Sequence, residues 1–191
     1  MITNCVGGCL TIRSTGCREA SFLSLRRGLL NKYMLTFSHN KGRFNFRTVA
    51  VILHQGQVLI HRAEKDSFWT LPGGRVEFGE PSSTALIREI REELGIKIEV
   101  ERLLWLVENF FTYEAEDYHE VALYFLVKLP TGSALYTQKT PIKGDEEGIP
   151  LIFQWHRIEA LTEIELCPTF LKESLREIPD STTYVIHQDG K

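Results

Sequence analysis

Four of the five glutamates in residues 74–96 lie around one turn and the helix that follows it: Glu80, Glu89, Glu92 and Glu93. The last three stand at positions i, i+3 and i+4, which share one face of a helix. Like charges at this spacing repel each other and destabilise an isolated helix. We therefore infer that this face holds a cation. Carboxylate oxygens are the ligands that the hard cations Mg²⁺ and Mn²⁺ prefer.

The residues around these glutamates favour a helix. An apolar stripe recurs at three- and four-residue steps, formed by Ala85, Leu86, Ile87, Ile90 and Leu94. Pro81 is typical of a helix start, and Gly95 of a helix end in the left-handed conformation. Ahead of the helix, Pro72, Gly73 and Gly74 predict an irregular loop whose backbone can approach a ligand closely.

Strands on both sides of this unit would position it. Apolar runs predict strands over 46–53, 58–62, 96–113, 119–129 and 153–156, with a short extended piece over 75–78. We expect turns at 54–57 and 114–117, short helices at 158–161 and 168–176, a mobile loop over 131–150 and a tail over 181–191. Helices interleaved with hairpins indicate a mixed α/β domain.

Length and composition are those of one globular domain. The chain has 191 residues, of which 43% are hydrophobic and 25% are charged. No run of about 18 apolar residues occurs, so we expect no membrane span. The net charge of -3 gives no general attraction to nucleic acid or to an anionic membrane. We expect the domain to cover residues 34–180.

Residues 1–33 differ in composition from the rest. They carry five basic residues and one acidic residue, a net charge of +4, which leaves -7 for the remainder. Cys5, Cys9 and Cys17 lack the paired spacing and the histidines of a zinc site, whereas the Arg and Ser content permits organelle targeting. We favour an extension, disordered or produced by a mis-assigned start. Cys167 alone lies in the body, which suits a reducing cytoplasm.

The stretch from Gly74 is similar to the signature of the Nudix hydrolase family, which includes MutT-like proteins. That signature reads Gly, five residues, Glu, seven residues, Arg-Glu, an aliphatic residue, any residue, Glu-Glu, any residue, Gly and an aliphatic residue. Every fixed position is filled, by Gly74, Glu80, Arg88, Glu89, Ile90, Glu92, Glu93, Gly95 and Ile96. The resemblance implies an α/β/α sandwich with a mixed sheet. It also implies cleavage, with Mg²⁺ or Mn²⁺, of a nucleoside diphosphate linked to another group.

Several residues receive expected roles on this basis. The expected metal ligands are Glu89, Glu93, Glu92 and the backbone carbonyl of Gly73 or Gly74. The residues expected to act structurally are Gly74, Glu80, Arg88 and Gly95. Among these, Glu80 suits the positive N-terminus of the helix, and Arg88 would lock the loop to the helix through a carboxylate.

The sequence leaves two sources for the general base. One source is the helix, where Glu92 and Glu93 are candidates. The other is a carboxylate from the second half of the domain, for which Glu120, at the head of the strand over 119–129, is the best candidate. The carboxylates of a charged turn could instead swing over the site: Glu114, Glu116 and Asp117.

Expected substrate contacts come from Phe68, Trp69, Arg75 and Tyr113. Phe68 and Trp69 are more typical of packing than of base stacking. Tyr113 stands about where a tyrosine marks diadenosine-polyphosphate hydrolases of the family, and an oxidised nucleoside triphosphate stays open as a substrate. The alternative function is a nucleotide-sensing domain that binds without turnover. Homodimer formation is also left open.

Overall fold

The computed structural model describes residues 33–39, 42–138, 141–146 and 148–189. The expectations for residues 1–32, organelle targeting and a disordered extension, lie outside the described residues. The strands are β1 (Thr36–His39), β2 (Gly42–His54), β3 (Gln57–Ala63), β4 (Gly73–Arg75), β5 (Glu99–Tyr113), β6 (Glu116–Lys128), β7 (Ile142–Glu146), β8 (Ile149–Arg157) and β9 (Thr183–Gln188). The helices are α1 (Ser82–Leu94) and α2 (Leu171–Ser174), with 3₁₀ turns at Ala134–Thr137 and Ile158–Glu163.

The strands of the described residues form one mixed sheet. Its main order is β7-β8-β3-β2-β6-β5-β9, and β1 and β4 also pair with β2. Strand β2 runs parallel to β6, and β5 runs parallel to β9. The other pairs are antiparallel. The predicted α/β fold with a mixed sheet is confirmed.

Strand β2 is buried on both faces of the sheet, which explains its continuous apolar run. Val49 and Val51 join one hydrophobic core, whereas Ala50 and Ile52 join the other. This division follows from the pleat of a strand, which sends successive side chains to opposite faces.

Helical segments cover both faces. On the side of Ala50, α1 adds Leu86 and Ile90 to the core, and we call this side the α1 face. On the side of Val49, the α2 segment adds Leu171 to the core, and we call this side the α2 face. None of the described helices is long and apolar enough to span a membrane.

Two tight turns close the hairpins β2-β3 and β5-β6. Gln55 and Gly56 both have positive φ, 46° and 74°, and Glu114 and Ala115 have φ of 49° and 63°. Two consecutive left-handed residues match the right-handed twist of the flanking strands. The turn expected over 114–117 is shorter than predicted, because β6 already begins at residue 116.

The acidic helix α1 begins and ends where its signals indicate. Pro81 has an extended backbone and precedes the first helical residue. Gly95 adopts φ of 69°, and its N–H donates to the carbonyl of Arg91. The helix is therefore continuous from residue 82 to residue 94. Glu89 and Glu93 lie on its buried side.

The mobile loop expected over 131–150 is wrong in part. Residues 134–137 form a 3₁₀ turn, and residues 142–146 form β7, which pairs with β8. Strand β7 is short, and its sequence IKGDE has little apolar pattern. Its pairing with a distant strand, and its position against α1, set its conformation, and local propensity does not predict either contact.

Three further expectations differ from the structure. The short strand expected over 75–78 lies over residues 73–75 instead, because the two glycines pair with β2. The helix expected over 168–176 is regular over only 171–174. Residues 181–191, expected as a tail, contribute β9, which extends the sheet beside β5.

Asp189 connects the end of β9 to the start of α2. Its carboxylate accepts hydrogen bonds from the backbone N–H of Thr169 at 3.1 Å and from its hydroxyl at 2.6 Å. The Nε2 atom of His187 lies 2.8 Å from the same carboxylate. Partial burial raises the pKa of Asp189, but the bonds from Thr169 and His187 outweigh it, so the pKa lies below its ordinary value.

We expect Asp189→Ala to lower the free energy of unfolding by about 1–2 kcal/mol at neutral pH, because the donors of Thr169 lose their partner. A lowered pKa in the folded state gives stability that is present above the ordinary carboxyl pKa and is lost as the pH falls through the folded value. Urea unfolding should therefore show a smaller difference in unfolding free energy between the wild type and Asp189→Ala at pH 3 than at pH 7. Asp180→Ala, at an exposed position, is the matched control. Equal losses in the two variants would contradict the role of Asp189.

Candidate active site

Three carboxylates meet where α1 faces β7. Glu89 and Glu93, each about 4% exposed, come from successive turns of α1, and Glu146 comes from the end of β7. Each offers one oxygen, and these oxygens lie within 4.8 Å of one another. We call Glu89, Glu93 and Glu146 the acidic cluster. Glu146 was not among the sequence candidates, since it lies in the segment expected to be a loop.

Glu93 is the least satisfied member of this cluster. Both of its carboxylate oxygens are buried and have no hydrogen-bond partner among the described residues. Burial raises the pKa of Glu93 well above its ordinary value, Glu146, Glu89 and Glu92 add to the rise, and Arg47 opposes it. A buried carboxylate without a partner is costly, and a cation relieves that cost. Three converging carboxylates are therefore a donor set that fits Mg²⁺ or Mn²⁺.

Two glycines of β4 make the close approach of α1 possible. A Cβ on Gly74 would lie 2.3 Å from the carboxylate of Glu89, so only glycine leaves room for that side chain. Gly73 has φ of +143°, and a Cβ there would lie 2.2 Å from the carbonyl oxygen of Thr48. The glycines thus allow β4 to pair with β2 while α1 lies directly above it.

Arg88 joins the turn before α1 to the helix. Its guanidinium donates to Glu80 at 3.1 Å and 2.9 Å and to the carbonyl of Arg75 at 3.2 Å. It also donates to Glu89 at 2.6 Å, so it holds one member of the acidic cluster. Partial burial lowers the pKa of Arg88, but its bonds with Glu80 and Glu89 outweigh it and raise the pKa above its ordinary value.

Glu92 and the Gly73 carbonyl, also expected as metal ligands, each contact an arginine. The side chain of Glu92 is 43% exposed and contacts Arg88 at 3.4 Å, one turn earlier in the helix. The carbonyl oxygen of Gly73 accepts a hydrogen bond from Nη2 of Arg47 at 2.9 Å. A carbonyl oxygen has two lone pairs, so this bond leaves one of them for a further donor or cation.

Glu120 lies on the other face of the sheet. In the strand register, Gly74 pairs with Thr48 and faces Glu89, whereas Glu120 pairs with Asn45. Positions 45 and 48 differ by three residues, so their side chains point to opposite faces. Glu120 is about 6% exposed and belongs to the α2 face. Its location separates it from the acidic cluster, where the sequence analysis had expected it as a base.

A polar network surrounds Glu120. The Nε atom of Arg75 donates to the Asn45 side chain at 3.3 Å, and Asn45 also accepts from the hydroxyl of Thr36 at 2.8 Å. Burial raises the pKa of Glu120, and Arg47, Arg75 and Asn45 partly oppose this rise. The expected substrate residue Arg75 is thus held in a network on the α2 face.

Comparison with known proteins shows the family of this chain. The family model described as NUDIX domain matches residues 45–177, which is more than half of the chain. The chain belongs to the Nudix family. The "Uncharacterized Nudix hydrolase YvcI" of Bacillus subtilis (strain 168) is 30% identical over 122 residues, covering 63% of this chain and 71% of that protein.

Other Nudix relatives match more locally. The "RNA pyrophosphohydrolase" of Ruthia magnifica subsp. Calyptogena magnifica is 38% identical over 63 residues, 33% of this chain and 35% of that protein. The chain spans between 35% and 39% of the length of three of the curated relatives that it matches. The crystal structure of the MutT protein from Bacillus halodurans has a TM-score of 0.52 at 17% identity, over 75% of this chain and 89% of that chain. It shows the same fold.

The aromatic residues expected to bind substrate divide into two groups in this Nudix domain. Phe68 and Tyr113 meet edge to face at 5.8 Å, and the Tyr113 hydroxyl donates to Asp66 at 3.3 Å. Trp69 instead packs against the core of the α2 face, with the guanidinium of Arg62 over its ring at 5.1 Å. Phe68 and Tyr113 therefore join the loop after β3 to the tip of the β5-β6 hairpin.

We expect Gly74→Ala to weaken Mn²⁺ binding by about tenfold or more, because the new methyl group displaces the Glu89 carboxylate. A titration that follows the concentration of free Mn²⁺ by electron paramagnetic resonance measures the affinity. Gly132→Ala is the control, since nothing lies within 4 Å of a Cβ at that position. Its effect should be limited to local backbone strain. Wild-type affinity in Gly74→Ala would contradict the packing described here.

His61 is a buried histidine beside the site, with its ring 5.1 Å from that of Phe153. Burial, and then the charge of Arg47, lower the pKa of His61 to about 3. The unfolded chain takes up a proton near pH 6.5 and the folded chain does not, so this group makes stability fall as the pH falls from about 6.5 towards 3.

We expect the stability difference between the wild type and His61→Gln to change with pH. Relative to His61→Gln, the wild type should lose up to about 1 kcal/mol of unfolding free energy per pH unit below pH 6.5. Urea unfolding between pH 7.5 and pH 5 measures it, with His39→Gln, an exposed histidine on β1, as the control. A difference that stays constant over this range would show that His61 takes up its proton equally readily in the folded and the unfolded chain, and would contradict the lowered pKa.

Proposed function

We propose that this Nudix domain is a metal-dependent pyrophosphohydrolase. It cleaves a nucleoside diphosphate linked to another group, by attack of water on phosphorus. The observation that carries the proposal is the acidic cluster, in which three carboxylate oxygens lie within 4.8 Å and both oxygens of Glu93 lack a partner among the described residues. Relatives named "RNA pyrophosphohydrolase" and "Putative ADP-ribose pyrophosphatase YjhB" support hydrolysis of a phosphoric anhydride.

Glu89, Glu93 and Glu146 would hold the divalent ion, and Glu92 and the Gly73 carbonyl are further candidates. A divalent ion bound here supplies charge neutralisation for phosphate oxygens and a lowered pKa for water. The protein itself fixes the positions of the oxygens. Arg88 holds Glu89 through a 2.6 Å bond, and Gly74 leaves the space that Glu89 occupies.

For the general base we favour the acidic cluster over Glu120. A base must reach the attacking water, either directly or through one further water. Glu146 is the member of the cluster most open to solvent, and it ends β7 at the edge of the site. Glu120 faces the other side of the sheet. We therefore assign the proton acceptor to Glu146, with Glu93 as the second candidate.

The substrate's base would lie against the Phe68–Tyr113 pair, whereas Arg75, held by Asn45 on the α2 face, receives no substrate contact in this proposal. Aromatic rings stack with any nucleobase, so this pair does not select one nucleotide. The rival function is a nucleotide-sensing domain without turnover. Such a domain has no need of a complete carboxylate set, so the presence of Glu89, Glu93 and Glu146 together favours hydrolysis.

We expect the wild type to release phosphate or nucleotide from at least one member of a diphosphate panel with Mg²⁺. The panel contains dinucleoside polyphosphates, nucleotide sugars, ADP-ribose, oxidised nucleoside triphosphates and triphosphorylated RNA ends. Tight binding of one compound with no turnover of any would favour the sensing domain and contradict the proposal.

We expect Glu93→Gln and Glu146→Gln to lower kcat by about 10²- to 10⁴-fold on the substrate found, because each removes a ligand or a base. Asp145→Asn is the matched control, since Asp145 is exposed on the same strand and accepts from the N–H of Gly148. If Glu146→Gln keeps wild-type kcat at saturating Mg²⁺, Glu146 is not the base.

A further inference from the structure

We propose that Glu120 sets the affinity of the acidic cluster for a divalent ion by neutralising Arg47, a half-buried cation behind that cluster. In this assignment Glu120 is a positioning residue that acts through Arg47 across the sheet. The inference rests on the metal-binding part of the proposed function, and it does not depend on which substrate is cleaved.

The position of Arg47 connects the two faces. Arg47 lies on β2, paired with Arg75 of β4 and with Ala122 of β6. Its Nη2 atom donates to the Gly73 carbonyl at 2.9 Å, one residue before the glycine that faces Glu89. The guanidinium therefore reaches the start of β4, next to the residue that faces Glu89, although Arg47 starts from the α2 face of the sheet.

The charges around Arg47 come from both sides of the sheet. Burial lowers the pKa of Arg47, but Glu120, the strongest of the charges acting on it, and then Tyr124, Glu146 and Glu93 raise it above its ordinary value. Conversely, Arg47 is the positive charge that opposes the rise in the pKa of Glu93. The charge of Arg47 thus acts on Glu120 and on two members of the acidic cluster.

Glu120 is placed to balance positive charge. It is buried in a network that includes two arginines, Arg47 and Arg75, together with Asn45. Without the carboxylate of Glu120, these arginines would be left with less negative charge on the α2 face. The positive charge of Arg47 at Glu93 and Glu146 would then be less compensated.

A divalent ion entering the acidic cluster would be repelled by Arg47. At a separation of several ångströms and an effective dielectric constant of about 20, a charge change of one unit alters binding of a divalent ion by roughly tenfold or more. The negative charge of Glu120 offsets this repulsion. Removing Glu120 should therefore weaken ion binding, and removing Arg47 should not.

The test measures Mn²⁺ affinity of the full chain by electron paramagnetic resonance, without substrate. We expect Glu120→Gln to weaken Mn²⁺ binding roughly tenfold, and Arg47→Gln to keep or tighten it. The double variant should return to within a few-fold of the wild type, because the cation and its counter-charge are both absent. Glu120→Asp keeps the charge and should bind Mn²⁺ nearly as the wild type does.

Three results would overturn the proposal. They are Mn²⁺ affinity within twofold of the wild type in Glu120→Gln, equal weakening in Glu120→Gln and Arg47→Gln, and a wild type that binds no Mn²⁺. Thermal unfolding in chelator checks that each variant is folded. If Glu120→Gln does not fold, the sign of the change in Arg47→Gln decides, since weaker binding there contradicts the proposal.

The same variants separate this inference from the earlier alternatives. Normal Mn²⁺ affinity with a kcat lowered at saturating metal would make Glu120 a base and overturn the positioning role. Mn²⁺ binding that responds as expected, in a chain that hydrolyses nothing, would contradict the proposed hydrolase and support the charge balance.

Discussion

The repulsion between carboxylates gathered in a buried place is the constraint on which the site depends. Glu93 keeps both oxygens away from solvent beside Glu89 and Glu146. Burying an uncompensated charge costs several kcal/mol, on the order of 3–5, so the surroundings must supply positive charge. Arg88 supplies it at the surface of α1, and Arg47 supplies it from β2. A bound cation would supply what remains.

The backbone beside the acidic cluster must also leave room for these carboxylates. The carboxylate of Glu89 occupies the space where a side chain at position 74 would stand, so β4 must contain glycine at that position. This glycine lets β4 complete its pairing with β2 beneath the helix. The strand, the helix and the charge site are therefore parts of one packing arrangement, and a methyl group at position 74 would disturb all of them.

Much of this site could be predicted from the sequence, and the reason is local. Glu89 and Glu93 stand one helical turn apart, and Gly95 ends the helix by adopting φ of 69°. Neither fact depends on distant parts of the chain. Glu146 could not be predicted in the same way, because the segment IKGDE becomes a strand only by pairing with β8 and lying against α1. The strand over 183–188 escaped prediction for the same reason.

The sequence by itself determined the acidic helix, its end at Gly95 and the carboxylates on one of its faces, since helical periodicity and turn residues act over a few positions. The tertiary structure decided which carboxylates meet. It brought Glu146 to the acidic cluster, put Glu120 on the opposite face of the sheet and joined Arg47 to the Gly73 carbonyl of β4. These outcomes depend on strand register, where a shift of one residue sends every side chain to the other face, and register is set by contacts far apart in the chain.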